Sequence, residues 1–215
     1  MRCDRARLRE ALRLYAVTDR RYLAGLALPE AVARAIAGGT TLVQLREKGL
    51  PSGELAARAR ALRRVCAPQG VPLIVNDDVE AAVAADADGV HVGQGDLEAS
   101  QARARIGDRI LGVSVQTVEQ ALRAQAAGAD YLGVGAVFPT GTKADAQAVS
   151  IAALGDICRA VEIPVVAIGG ITAENLPSLA GSGIAGAAVV SAIFGAADIA
   201  LAARALRAAA DRVAT

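Results

Sequence analysis

A chain of 215 residues that is 53% apolar can bury a sizeable core, and 2% aromatics with no tryptophan make that core aliphatic. The same scarcity removes the stacking platforms of single-stranded nucleic-acid binders, and a net charge of +1 gives no global pull towards polyanions or anionic membranes. Cys3, Cys66 and Cys158 are widely spaced without a CxxC pair, which suggests neither a disulfide framework nor a zinc site and fits a reducing cytoplasm.

The opening run "MRCDRARLREALRLYAV" has no uninterrupted apolar stretch, so no signal peptide is expected, and it reads as a short helix at about 3–12. Strand-like runs then recur at 14–18, 42–46, 73–76, 89–92, 110–114, 131–135, 165–169 and 187–191. Between them lie alanine-rich stretches with apolar residues at helical spacing, including 29–37, 52–67, 117–127 and 198–213. Arginines at positions such as Arg58, Arg60, Arg63 and Arg64 read as solvated helix faces. Continuous apolar strands alternating with helices argue a covered parallel sheet. Eight units with no linker predict one α/β domain over 1–215, a single (β/α)₈ TIM barrel.

Other readings fall away. The GxGxxG spacing occurs once, as "GSGIAG" at 181–186, but before a strand, where a seventh helix would end, so it reads as a cap and turn. The Walker spacing is absent. Residues 179–197 carry no charge and approach the length of a membrane span, yet four glycines and modest hydrophobicity favour a loop, a buried strand and a turn.

Active sites of such barrels lie at the carboxyl ends of the strands. There the second strand gives "VQLREKG", with Gln44, Arg46 and Lys48 at alternate positions that share a face if strand geometry persists. The third ends in Asn76 and Asp77, the fourth runs into "HVGQGDL" with Asp96, and the fifth ends at Ser114. The sixth leads into "AVFPTGTKADA" with Thr140, Thr142 and Lys143; the seventh ends at Gly169-Gly170 and the eighth at Val190-Ser191. Of 23 lysines and arginines only Lys48 and Lys143 are lysine, and both fall at strand ends, where an ammonium offers a compact charge to phosphate oxygens.

Arg46, Lys48 and Lys143 together would cradle a highly charged anion; the alternative is three unrelated surface cations. Asp77 and Asp96 either cap the helices that follow, a duty Asp78 could share, or act together on magnesium, which takes one or two carboxylates, phosphate oxygens and waters. The glycines after strand seven and Ser191 after strand eight suggest a second phosphate site or, alternatively, plain tight turns. His91, the single histidine, reads as structural, with no nucleophile or metal partner near it in sequence. Two anion sites in one mouth imply two phosphorylated small-molecule substrates, and a metal-bound pyrophosphate implies chemistry in which it departs.

In order along the chain, "LYAVTD", "QLREK", "VNDD", "HVGQGD", "GVS", "GAVFPTGTKADA", "AIGGI" and "VVSAIF" resemble the thiamine phosphate synthase family. "AIGGI" occurs in many phosphate-binding barrels; "QLREK" with the Thr-x-Thr-Lys loop is specific. The resemblance implies a cytoplasmic, magnesium-dependent transferase joining 4-amino-5-hydroxymethyl-2-methylpyrimidine diphosphate to a thiazole phosphate, or its carboxylated form, with release of pyrophosphate. By matching position it places Gln44, Arg46, Lys48, Asn76, Ser114 and Lys143 on the pyrimidine diphosphate, with Arg46, Lys48, Ser114 and Lys143 in the chemistry. Asp77 and Asp96 would hold Mg²⁺, and Thr140, Thr142, Gly170, Val190 and Ser191 the thiazole phosphate. The implied mechanism is dissociative: pyrophosphate leaves first and the thiazole nitrogen captures the resulting cation. A related thiazole tautomerase needs no pyrophosphate cradle, and a phosphometabolite sensor needs no carboxylate pair.

Overall fold

The computed structural model describes residues 5–141 and 148–214, so Thr142 and Lys143 lie outside the described residues. Eight strands, β1 (Leu14–Val17), β2 (Leu42–Leu45), β3 (Leu73–Asn76), β4 (Gly89–Val92), β5 (Ile110–Val115), β6 (Tyr131–Val134), β7 (Val165–Ile168) and β8 (Gly186–Val189), form a closed barrel in chain order. Every neighbouring pair is parallel, and β8 returns to β1 with Leu14 opposite Ala187. Helix α1 (Arg5–Ala11) precedes β1; α2 (Leu28–Ala37), α3 (Ser52–Cys66), α4 (Val79–Ala84), α5 (Ala99–Ile106), α6 (Val118–Ala126) and α7 (Ile151–Ala160) follow β1 to β6 in turn. After β8 come a one-turn helix, α8 (Ser191–Phe194), and the long α9 (Ile199–Val213).

Alternation along each strand divides two buried regions. Leu14 and Ala16, Val43 and Leu45, Leu73 and Val75, Val90 and Val92 face outward and join helix residues such as Ala31, Leu62 and Leu206. The intervening residues Tyr15, Leu42, Ile74, Ile110, Tyr131, Val166 and Ala188 fill the interior, and Leu8 and Leu12 belong to the same cluster. The N-terminal helix is thus a plug, and its two leucines are 0–1% exposed. Capping is local: Asp78, Thr117, Ser150 and Asp198 accept backbone N–H bonds at the starts of α4, α6, α7 and α9.

Three sequence expectations change. β7 and β8 are joined by a 3₁₀ turn (Leu176–Leu179), with Pro177 at its start, in place of a seventh regular helix. "GSGIAG" is still a turn, with Gly181 and Gly183 at positive φ and the Ser182 hydroxyl on the Leu179 carbonyl. β8 ends at Val189, so Ser191 opens a helix and does not close the strand. β2 likewise stops at Leu45, one residue before Arg46. The uncharged run 179–197 resolves into that turn, β8 and α8, and among the described residues no helix is long and apolar enough to cross a membrane.

The interior holds two tyrosines and a histidine only because neighbouring positions are glycine. A Cβ on Gly112 would lie 2.2 Å from Tyr131 Cζ and 2.4 Å from His91 Nδ1, and one on Gly133 would lie 3.2 Å from His91 Cε1. Gly112→Ala is therefore expected to destabilise the fold by about 2 kcal/mol or more through overpacking, measurable by urea denaturation. Alanine at exposed Gly53, where nothing lies within 4 Å, serves as the control and should leave stability near wild type.

Candidate active site

The carboxyl ends of all eight strands open on one rim. At β2 the backbone alternates as expected beyond the strand itself. Gln44 points into the barrel, 4% exposed, and Glu47 turns outward with its side chain 1% exposed, ion-paired to Arg20 at 3.0 Å and Arg58 at 3.4 Å. Arg46 and Lys48, on the other phase, both act electrostatically on Asp77 across the rim. Arg46 is further held by its backbone N–H on the Thr18 hydroxyl, 3.0 Å, and its guanidinium 3.4 Å from Asp19.

Asp19 was not among the residues singled out from sequence. It is 5% exposed at the end of β1 and also takes Arg21 at 2.6 Å. That Arg21 hydrogen bond, reinforced by the Arg46 charge, holds its carboxyl below the ordinary value. Its position in "LYAVTD", a strand's carboxyl end, was the available signal.

β3 ends in an unusual turn. The Asp78 N–H donates to the Asn76 carbonyl at 2.8 Å across Asp77, whose φ is +64°, a three-residue γ-turn that L side chains adopt at a cost. The turn separates two neighbours by role. Asp78 caps α4 through Ala81 N–H at 2.8 Å and receives the Ser52 hydroxyl, while Asp77 is left for the mouth. Capping is therefore not what Asp77 does.

Asp96 is not a cap either: its Oδ2 accepts the Gly93 N–H at 2.7 Å, three residues before α5 begins. Asp77 and Asp96 are hydrogen-bonded to each other. Burial first, then the Asp96 contact, raises the Asp77 carboxyl to about 6, against the opposing pull of Lys48 and Arg46.

His91 has two hydroxyl partners that its neighbours in sequence do not announce. It is 8% exposed inside the barrel, with Nδ1 2.9 Å from the Tyr131 hydroxyl and Nε2 2.9 Å from the Ser114 hydroxyl. The missing partner was 23 residues away on β5.

On the far side, the glycines after β7 are explained by the neighbouring loop. A Cβ on Gly170 would lie 2.4 Å from the Pro139 carbonyl and 2.8 Å from Phe138, and both Gly169 and Gly170 have positive φ. The two loops run together, Phe138 N–H bonding the Gly169 carbonyl at 3.1 Å. Asn175, another residue the sequence reading passed over, fastens this loop by reciprocal bonds with Thr172 and an amide bond to the Gly170 carbonyl at 2.8 Å. Thr140 lies in the described part of the β6 loop, which ends at Gly141; Val190 and Ser191 follow β8, Ser191 exposed as the first residue of α8. Loops seven and eight with a short extra helix are where barrels commonly present backbone N–H groups to phosphate.

Fold and rim together define the class, a (β/α)₈-barrel enzyme whose mouth gathers cations, paired carboxylates and glycine loops. The family model described as "Thiamine monophosphate synthase" matches residues 14–193. The thiamine-phosphate synthase of Ruminiclostridium cellulolyticum is 54% identical over 187 residues, 86% of this chain and 89% of that relative. That of a Roseiflexus species is 48% identical over 197 residues, 91% and 84% of the two chains. The solved thiamine phosphate pyrophosphorylase of Pyrococcus furiosus superposes with a TM-score of 0.89 at 40% identity, covering 96% of this chain and 98% of that one. A 3-hexulose-6-phosphate synthase, at 20% identity, TM-score 0.66 and 91% and 98% coverage, shares the barrel alone. The chain belongs to the thiamine monophosphate synthase family and is a transferase.

The γ-turn makes a paired prediction about stability. Asp77→Gly relieves both the positive φ and the carboxyl contact, and is expected to stabilise the protein by about 1 kcal/mol. Asp78→Ala loses a helix cap and is expected to destabilise by about 1 kcal/mol. Urea unfolding of the two variants checks the opposite signs.

Proposed function

We propose that the chain condenses 4-amino-5-hydroxymethyl-2-methylpyrimidine diphosphate with 4-methyl-5-(2-phosphooxyethyl)thiazole, or its carboxylated form, to give thiamine phosphate and pyrophosphate, with carbon dioxide as a further product from the carboxylated form. The observation that carries this reading is the Asp77–Asp96 contact beside Arg46 and Lys48. Two carboxyl groups this close repel each other once both are ionised, and a hard divalent cation between them relieves that repulsion. Among the described residues no group of three or more His, Cys, Asp or Glu gathers as a metal cage. A cation on Asp77 and Asp96 would complete its shell with diphosphate oxygens and water, the usual habit of magnesium. When bound, Mg²⁺ supplies neutralisation of the charge that builds on departing pyrophosphate.

The remaining work falls to side chains. Arg46 and Lys48, with Lys143 carried in by the family pattern, hold the diphosphate and stabilise it as a leaving group. Gln44, Asn76 and Ser114 orient the pyrimidine from the barrel floor. The C–O bond to the pyrimidine methylene breaks with its electron pair leaving on pyrophosphate; the thiazole nitrogen's lone pair then forms the new C–N bond. Thr140, Gly170, Val190 and Ser191, with Thr142 from the same family pattern, anchor the thiazole phosphate so that its nitrogen faces that methylene. No general base is required, in keeping with a described rim that offers cations and carboxylates around a single histidine.

Purified protein with both substrates and magnesium is expected to form thiamine phosphate and pyrophosphate in equal amounts, and chelation to stop it. Asp96→Ala and Lys143→Ala are each expected to lower turnover by about a hundredfold with the melting temperature little changed. Absence of product from wild type would overturn the reading, and near-wild-type turnover in both variants would remove the cradle from it.

A further inference from the structure

Inside the barrel, five polar side chains from five strands form one hydrogen-bonded line. The Gln44 amide nitrogen on β2 donates to the Tyr15 hydroxyl on β1. Tyr15 lies 2.7 Å, hydroxyl to hydroxyl, from Tyr131 on β6. Tyr131 lies 2.9 Å from His91 Nδ1 on β4, and His91 Nε2 lies 2.9 Å from Ser114 Oγ on β5. Tyr15 and Tyr131 are 0–1% exposed, and the line surfaces at Ser114, half-buried at the mouth.

Such a line has a direction. An amide N–H cannot accept, so Tyr15 accepts from Gln44 and gives its one proton to Tyr131. Tyr131, already accepting, gives its proton to His91 Nδ1. Burial pushes both phenols well above their ordinary value, so each keeps the proton it has to give. A ring nitrogen that accepts is bare, which leaves the imidazole hydrogen on Nε2, pointing at Ser114. Ser114 therefore accepts from the histidine, and its own O–H is turned to an acceptor outside the line.

We propose that Tyr131 is a positioning residue for the reaction: with Tyr15 and Gln44 upstream it fixes the Nε2–H tautomer of His91, and through it presents the Ser114 hydroxyl to the substrate as a donor. This rests on the reading above in which Ser114 faces the pyrimidine diphosphate. It also makes the two substrate-facing ends of the line, Gln44 and Ser114, parts of one device spanning the mouth. Gly112 and Gly133 are the spaces that let Tyr131 and His91 meet.

The single histidine makes the test clean, because ¹⁵N-labelled imidazole gives one pair of ring-nitrogen resonances. The ligand-free wild type is expected to show a protonated-type Nε2 and an unprotonated-type Nδ1. Tyr131→Phe is expected to lose the single tautomer and to lower kcat about tenfold, with KM for both substrates within about threefold of wild type. Tyr15→Phe removes the donor that commits Tyr131's proton to Nδ1, so a mixed tautomer is expected, with kcat lowered less than in Tyr131→Phe. An active wild type with its hydrogen on Nδ1 overturns this proposal alone. So does Tyr131→Phe with wild-type kcat. If Tyr131→Phe does not fold, the nitrogen shifts of wild type and Tyr15→Phe still decide, since a mixed or reversed tautomer in wild type, or an unchanged single tautomer in Tyr15→Phe, overturns it. A wild type that makes no product overturns the reading of Ser114 and this proposal with it.

Discussion

Closure of eight short parallel strands in chain order fixes everything else about this molecule. A parallel ladder leaves each strand pointing the same way, and the β8–β1 pairing removes any edge, so all carboxyl ends share one rim. Strands of four to six residues have room for only two or three inward side chains each. Aliphatic residues, plugged by Leu8 and Leu12, share the interior with the polar side chains of Gln44, Tyr131, His91 and Ser114. Polar groups below the mouth are tolerable only if they are paired, which the hydrogen-bonded line accomplishes.

Much of this was legible in the sequence, and what was legible follows one rule: information local to a strand and its next turn. Short continuous apolar runs gave all eight strands to within about two residues at either end, and looking only at their carboxyl ends singled out Arg46, Asp77 and Asp96. What the sequence could not show were partners made by closure. Tyr15 and Tyr131 are 116 residues apart, so nothing near His91 in the chain announces that its ring nitrogens are both used. A further reason for Gly169 and Gly170 was hidden similarly: their small size admits the neighbouring loop, at Ala136 and at Phe138–Pro139, a contact set by the order of β6 and β7. Between β7 and β8 a 3₁₀ turn with Pro177 at its start stands where a helix was expected.

A net charge of +1 conceals a marked local ordering of charge at the rim. Where charged residues adjoin, one fastens the loop and its neighbour faces the mouth. Glu47 is buried against Arg20 and Arg58, leaving Arg46 and Lys48 on the other phase; Asp78 caps α4, leaving Asp77 free; Asp19 anchors Arg46 while itself tied to Arg21. The fastened residues hold those loops in place before any ligand arrives, which limits the reorganisation that binding requires.

The same ordering explains why strain persists at Asp77. A left-handed aspartate pressed against a second carboxyl is unfavourable by itself, and Asp78, one residue on, already provides the cap. Nothing in the packing of α4 requires Asp77 to be there, since its side chain is neither cap nor core. The strain is held by the γ-turn bond and by the β3–β4 ladder, where Asp77 N–H meets the His91 carbonyl at 2.8 Å. That bond links the backbone of the carboxylate pair to the residue whose ring serves the hydrogen-bonded line. The Asp77–Asp96 carboxyl pair and the Ser114 hydroxyl are thus both tied to β4, and any shift of that strand moves both at once.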